Sequence, residues 1–172
     1  HLAQGYREIE ARNWTGAAQE ERLAGEQQRK LNVTAKGDLY KWSQIADGWV
    51  REFGARRTTT RDFVTALAKA QDDLNAKNYG AARNDLNVRE MASLTNDQKQ
   101  QLSAMRSSVD QAELRNEIEQ ARSLGDEAFS AGNYDEATKL YNDGLAKAGD
   151  PRTLKILGRD ESEKFKAVME EK

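Results

Sequence analysis

The chain has 172 residues, a third of them charged, with 27 Lys and Arg against 29 Asp and Glu and a mean hydropathy of −0.93. The near-balance of charge argues against nucleic acid or an anionic membrane as the main partner. The lack of cysteine removes disulfides, thiolate metal sites and cysteine nucleophiles, and no apolar run approaches the roughly 20 residues that span a bilayer.

With one proline in a sequence dominated by Ala, Gln, Glu, Lys, Arg and Leu, an all-α fold is expected, drawn out as an irregular solenoid of about eight helices in a single domain, 1–172. Residues 1–33 read as a helical hairpin turning at Ala11-Arg12-Asn13-Trp14, its second helix ending near Val33-Thr34. Gly37 then breaks the chain, and Asp38 caps an inserted amphipathic helix, 38–54. Leu39, Trp42, Ile45, Trp49 and Phe53 recur on it at helical spacing, which predicts a buried face. The alternative, in which Trp42 and Trp49 form an exposed aromatic binding surface, is the less favoured reading.

The stretch from Gly54 to Thr60 is expected to interrupt the helix, with Thr59 or Thr60 capping a second hairpin, 60–92, that turns at Ala76-Lys77-Asn78-Tyr79. From 96 to 131 there is no proline and one glycine, so a single helix of about 50 Å is permitted at 1.5 Å per residue. It leads into a third hairpin, 117–148, turning at Ala131-Gly132-Asn133-Tyr134. Gly132 suits the left-handed C-terminal position, and Asn133 with Glu136 suits a capping box. A last helix, 151–170, starts with Pro151 at its first turn and is expected to cap the array.

The three turns align as A-x-N-[WY]-x-x-A, closing on Ala17, Ala82 and Ala137. Upstream, Gly5, Ala70 and Gly125 share a small register, and Ile9, Leu74 and Phe129 an apolar one. Small residues let antiparallel helices approach, while the apolar side chain and the turn aromatic fill the space between them. In the third copy Leu124-Gly125, Ala128-Phe129, Gly132-Asn133-Tyr134, Ala137 and Tyr141 resemble the tetratricopeptide repeat (TPR) family at its signature registers. The second copy keeps Ala70, Leu74, Tyr79, Ala82 and Leu86; the first puts Glu21 where the family has an aromatic. The copies lie 65 and 55 residues apart, against about 34 in a regular array, so helices are inserted between them.

The resemblance implies protein binding, by a scaffold or adaptor that takes a partner protein or peptide or assembles with itself, and implies neither catalysis nor a cofactor. Carried onto this chain, the family's groove registers hold Val64, Ala68, Gln71 and Asn75 in the second hairpin, and Glu119, Arg122, Asp126 and Ser130 in the third. Some members clamp a peptide's C-terminal carboxylate with an asparagine where this chain has Asp126, so binding of such acidic tails is not expected here. The lone histidine, His1, is terminal, and no phosphate-loop, dinucleotide or nucleophile-elbow motif occurs, which also argues against an enzyme and a metal site. A second candidate, for nucleic acid, an anion or a phosphopeptide, is the cluster Arg51, Arg56, Arg57 and Arg61 beside the threonine run. A start at His1-Leu2 suggests a processed or trimmed chain and, with the missing cysteines, slightly favours a bacterial envelope or periplasmic setting over the cytoplasm.

Overall fold

The computed structural model describes residues 1–87 and 93–170, and these are all-helical: eight helices and no strand. They are α1 (Leu2–Glu10), α2 (Trp14–Thr34), α3 (Asp38–Asn75), α4 (Tyr79–Asp85), α5 (Asn96–Ser130), α6 (Tyr134–Gly149), α7 (Pro151–Leu157) and α8 (Arg159–Glu170). The end of the expected second hairpin, 88–92, lies outside the described residues. Where one domain was expected, the chain divides into two compact units, the first holding residues 1–68 and 87–100 and the second 69–86 and 101–172.

The three turns share one backbone path. After α1, α3 and α5, the third residue of each A-x-N triplet donates to the carbonyl five residues back, Asn13 to Glu8, Asn78 to Asp73 and Asn133 to Ala128. The middle residue donates three back, Arg12 to Ile9, Lys77 to Leu74 and Gly132 to Phe129. This pair of bonds satisfies carbonyls that the helix leaves orphaned, and it requires a left-handed residue in the middle. Arg12, Lys77 and Gly132 all have it, with φ of 56°, 60° and 80°. Side-chain capping falls differently from expectation. Asn133 makes no cap bond, whereas Asn13 accepts from the Gly16 amide at 3.1 Å.

In the first unit α1 packs against α2, and Phe53 of α3 closes the hairpin. Phe53 is fully buried with Ile9 and Ala17, and its ring meets Tyr6 edge to face at 4.9 Å. Gly5 leaves the necessary room, since a Cβ there would sit 2.5 Å from the Phe53 ring. In the second unit Gly125 plays the same part beneath Tyr141, where a Cβ would sit 2.6 Å from the ring. Each glycine is therefore covered by an aromatic, taken in one hairpin from its own second helix and in the other from α3. This explains how Glu21 is tolerated at the register of Tyr141: it turns to Arg57, whose Nε lies 2.7 Å away.

Two expected boundaries are corrected. The break at Gly54–Thr60 does not exist, because α3 runs unbroken for 38 residues. The segment has no proline, and threonine costs only a few tenths of a kcal/mol in a helix. Contacts then hold it: Glu21 fills the space beside Gly54, Arg57 binds Glu21, and Arg56 stacks on Tyr6. Conversely the last helix is two, because Gly158 adopts φ 85° between α7 and α8. Asp150 caps α7 by accepting from Arg152 N at 2.7 Å. α8 packs on α6, placing Met169 against Gly144 beside Ile118 and Ala148.

Candidate protein-docking surface

The largest departure from expectation lies on the N-terminal half of α3. Leu39, Trp42, Ile45 and Trp49 are 58%, 60%, 42% and 54% exposed, and only Phe53 of the expected apolar face is buried. The side turned toward α2 is narrower and built from smaller groups. Ser43 is fully buried and its carbonyl accepts from Gln28 Nε2 at 3.3 Å, while Val50 lies over Gly25. Ala24 and Gly25 on α2 let the two helices meet through these small residues, and the large apolar side chains are left on the flank.

At 100° per residue the four exposed side chains fall within an arc of about 120°. They form one continuous stripe that passes into the core at Phe53. With roughly 150–250 Å² for each aromatic side chain, and smaller shares from Leu39 and Ile45, the stripe presents on the order of 400 Å². That matches the largest apolar patch of a typical monomer, which is often functional. On this half of α3, Lys41 pairs with Asp38 at 3.3 Å, and Arg51 with Asp47 at 2.8 Å on the side away from the stripe. Shape and apolar area, rather than net charge, therefore define the surface.

No protein-family model matches the chain, and no curated protein or solved structure matches it either.

The residues expected to line a peptide groove include several engaged with neighbours in the chain. Gln71 donates to Asn75 at 3.0 Å on α3, and Glu119 pairs with Arg122 at 2.9 Å on α5. Ser130 Oγ donates to the Asp126 carbonyl at 2.8 Å, and the Tyr141 hydroxyl donates to the Asp126 carboxylate at 2.6 Å. That bond to an anion holds the Tyr141 pKa above its ordinary value. Glu119 and Arg122 also line a cleft of about 240 Å³ over Phe165, Val168 and Met169 of α8, and Asp126 and Ser130 line another of about 330 Å³ with Phe129 and Tyr141. Val64 is half-buried and Ala68 exposed on α3.

The four arginines proposed as an anion site stand on a continuous helix and not on a loop. At 100° per residue Arg57 and Arg61 share a face, while Arg51 and Arg56 point elsewhere. Each has a partner within the chain: Asp47, the Tyr6 ring, Glu21 and Asp62 respectively. A phosphate would have to displace these contacts to be held by more than one of them.

Proposed function

We propose that this chain is a protein-interaction module, built from TPR-like hairpins, that docks an amphipathic helix of a partner protein along α3. The observation that carries the reading is the exposed stripe Leu39, Trp42, Ile45 and Trp49. Helix-in-groove recognition sets the apolar face of one helix against apolar side chains of its partner, and this stripe offers them at i, i+3, i+6 and i+10, steps of three and four that stay on one helix face. Tryptophan is also the side chain most often responsible for binding energy at such surfaces.

The likeness of the hairpins to the TPR family is supported by the shared left-handed turn and by the buried alanines Ala17, Ala82 and Ala137. The departures count equally: α3 and α5 have 38 and 35 residues, far longer than the helices of a regular repeat. This favours recognition on the face of a long helix over recognition inside a concave groove. A helix is favoured over a second copy of the chain by area. A stable dimer buries about 800 Å² per partner, twice what the stripe alone supplies.

The test is a selection of displayed helical peptides on the immobilised chain, counter-selected against the Trp42→Ala/Trp49→Ala variant, followed by calorimetry. Peptides with micromolar or tighter Kd that weaken at least tenfold on the double variant are expected. Selection of only those peptides that bind both proteins alike would refute the assignment.

A further inference from the structure

The tip of the α5–α6 hairpin carries a second exposed surface. Phe129, near the end of α5, and Tyr134, at the start of α6, meet edge to face with centroids 5.3 Å apart. Both remain more than half exposed, although the residue at the Phe129 register of the first hairpin, Ile9, is buried. Beside them lie the 330 Å³ cleft, with Asp126, Ser130 and Tyr141 on its walls, and a second cleft of about 220 Å³ reaching under Tyr134 to Leu145.

Charge identifies what would occupy this aromatic surface. Residues 124–138 contain Asp126, Glu127, Asp135 and Glu136 and neither lysine nor arginine, and with Arg122 and Lys139 on either side the stretch 122–139 keeps a net charge of −2. Asp135 and Glu136 sit in the first turn of α6, where the helix dipole favours acids, but Glu127 lies in the last turn of α5, where it favours bases. That last turn has no basic residue to complement the helix dipole. The chain also shows how its tyrosines receive a cation: the Arg56 guanidinium stands 5.4 Å over the Tyr6 ring.

We propose that the Phe129–Tyr134 pair and its cleft dock a basic segment of a partner protein, with an Arg or Lys over the exposed rings and a neighbouring apolar side chain in the cleft beside Tyr141. The site is independent of the α3 stripe, so either assignment can fail without the other. It is also the electrostatic reverse of a carboxylate clamp, in keeping with Asp126.

The experiment uses the intact chain and a labelled 12-residue peptide of Arg-Arg-Leu-Ser repeats, with a Glu-Glu-Leu-Ser counterpart. Anisotropy is read at low and high salt, and amide shift perturbations are mapped on the wild type. The basic peptide should bind at least tenfold more tightly than the acidic one and perturb residues 126–138. Phe129→Ala/Tyr134→Ala should weaken it tenfold or more, and Glu127→Gln/Asp135→Asn/Glu136→Gln at least threefold with a flatter salt dependence. Trp42→Ala/Trp49→Ala should leave it unchanged. Equal binding of the two peptides, unchanged affinity in the aromatic variant, or perturbations centred elsewhere would each overturn the proposal.

Discussion

At the level of single residues, the three turns allow an internal comparison that no outside relative is needed to make. The same left-handed position is filled by Arg12, Lys77 and Gly132, and only glycine adopts it without a steric penalty. Lys77→Gly should therefore stabilise the chain by about 1 kcal/mol in urea denaturation, net of the entropy glycine loses on folding. The helical glycines should respond in opposite ways. Gly125→Ala drives a methyl into the Tyr141 ring and should cost about 1–3 kcal/mol. Gly48→Ala meets nothing within 4 Å and should gain about 0.5–1 kcal/mol from helix propensity, measured in the same titration. The glycine pattern that aligned the hairpins thus reports packing at Gly5 and Gly125, whereas the conformational demand sits seven residues, about two turns, later, at a residue type that differs between copies.

Among the elements, α3 shows best what could and could not be read from the chain. Its amphipathic spacing located a helix at 38–54 and named its apolar face, but spacing cannot tell a covered face from an open one. That depends on which neighbour arrives, and α2 brings Ala24, Gly25 and Gln28 against Ser43 and Val50. The Gly-Ala-Arg-Arg-Thr-Thr-Thr run looked like a loop because its tertiary anchors, Glu21 and Tyr6, are distant in sequence. A proline separates loop from helix: Thr58→Pro should cost about 3 kcal/mol or more in a continuous α3 and little in a loop, read by thermal or urea unfolding. The long α5 and the three hairpin turns, by contrast, were legible, because helix formers without proline and a repeated turn motif are local signals. The groove registers rest on a carry-over from regular arrays whose helices are much shorter.

Between elements, ion pairs anchor α4 and α8 to α5. Arg83 binds both Asp110, at 2.7 Å, and Glu113, and Arg115 binds Glu161. Hydrogen bonds from these arginines hold the carboxyls of Glu113 and Glu161 below their ordinary value of 4.5. A carboxyl with a depressed native pKa stabilises the fold above its unfolded pKa, and that contribution disappears as pH falls through the native value. Glu113→Gln/Glu161→Gln should thus be less stable than the wild type at pH 7, with the deficit narrowing as pH falls below about 4.5 and through the lowered native values in urea titrations.

For the molecule as a whole, fold and function stand on different footings. The all-helical architecture follows from composition and turn chemistry, while the proposed function rests on large apolar side chains that folding leaves in water. Exposed positions contribute little to stability, so Trp42→Ala/Trp49→Ala should shift unfolding by no more than about 0.5 kcal/mol while weakening a selected partner helix at least tenfold. No helix among the described residues is long and apolar enough to cross a membrane. The most direct measurement is hydroxyl-radical footprinting with mass spectrometry of the free chain and of its complex with a selected helical peptide. Trp42 and Trp49 should label readily in the free chain, faster than the half-buried Trp14, and lose most of that labelling in the complex. Slow labelling of both tryptophans in the free chain, or labelling that the bound peptide leaves unchanged, would contradict the assignment of α3 as the docking surface.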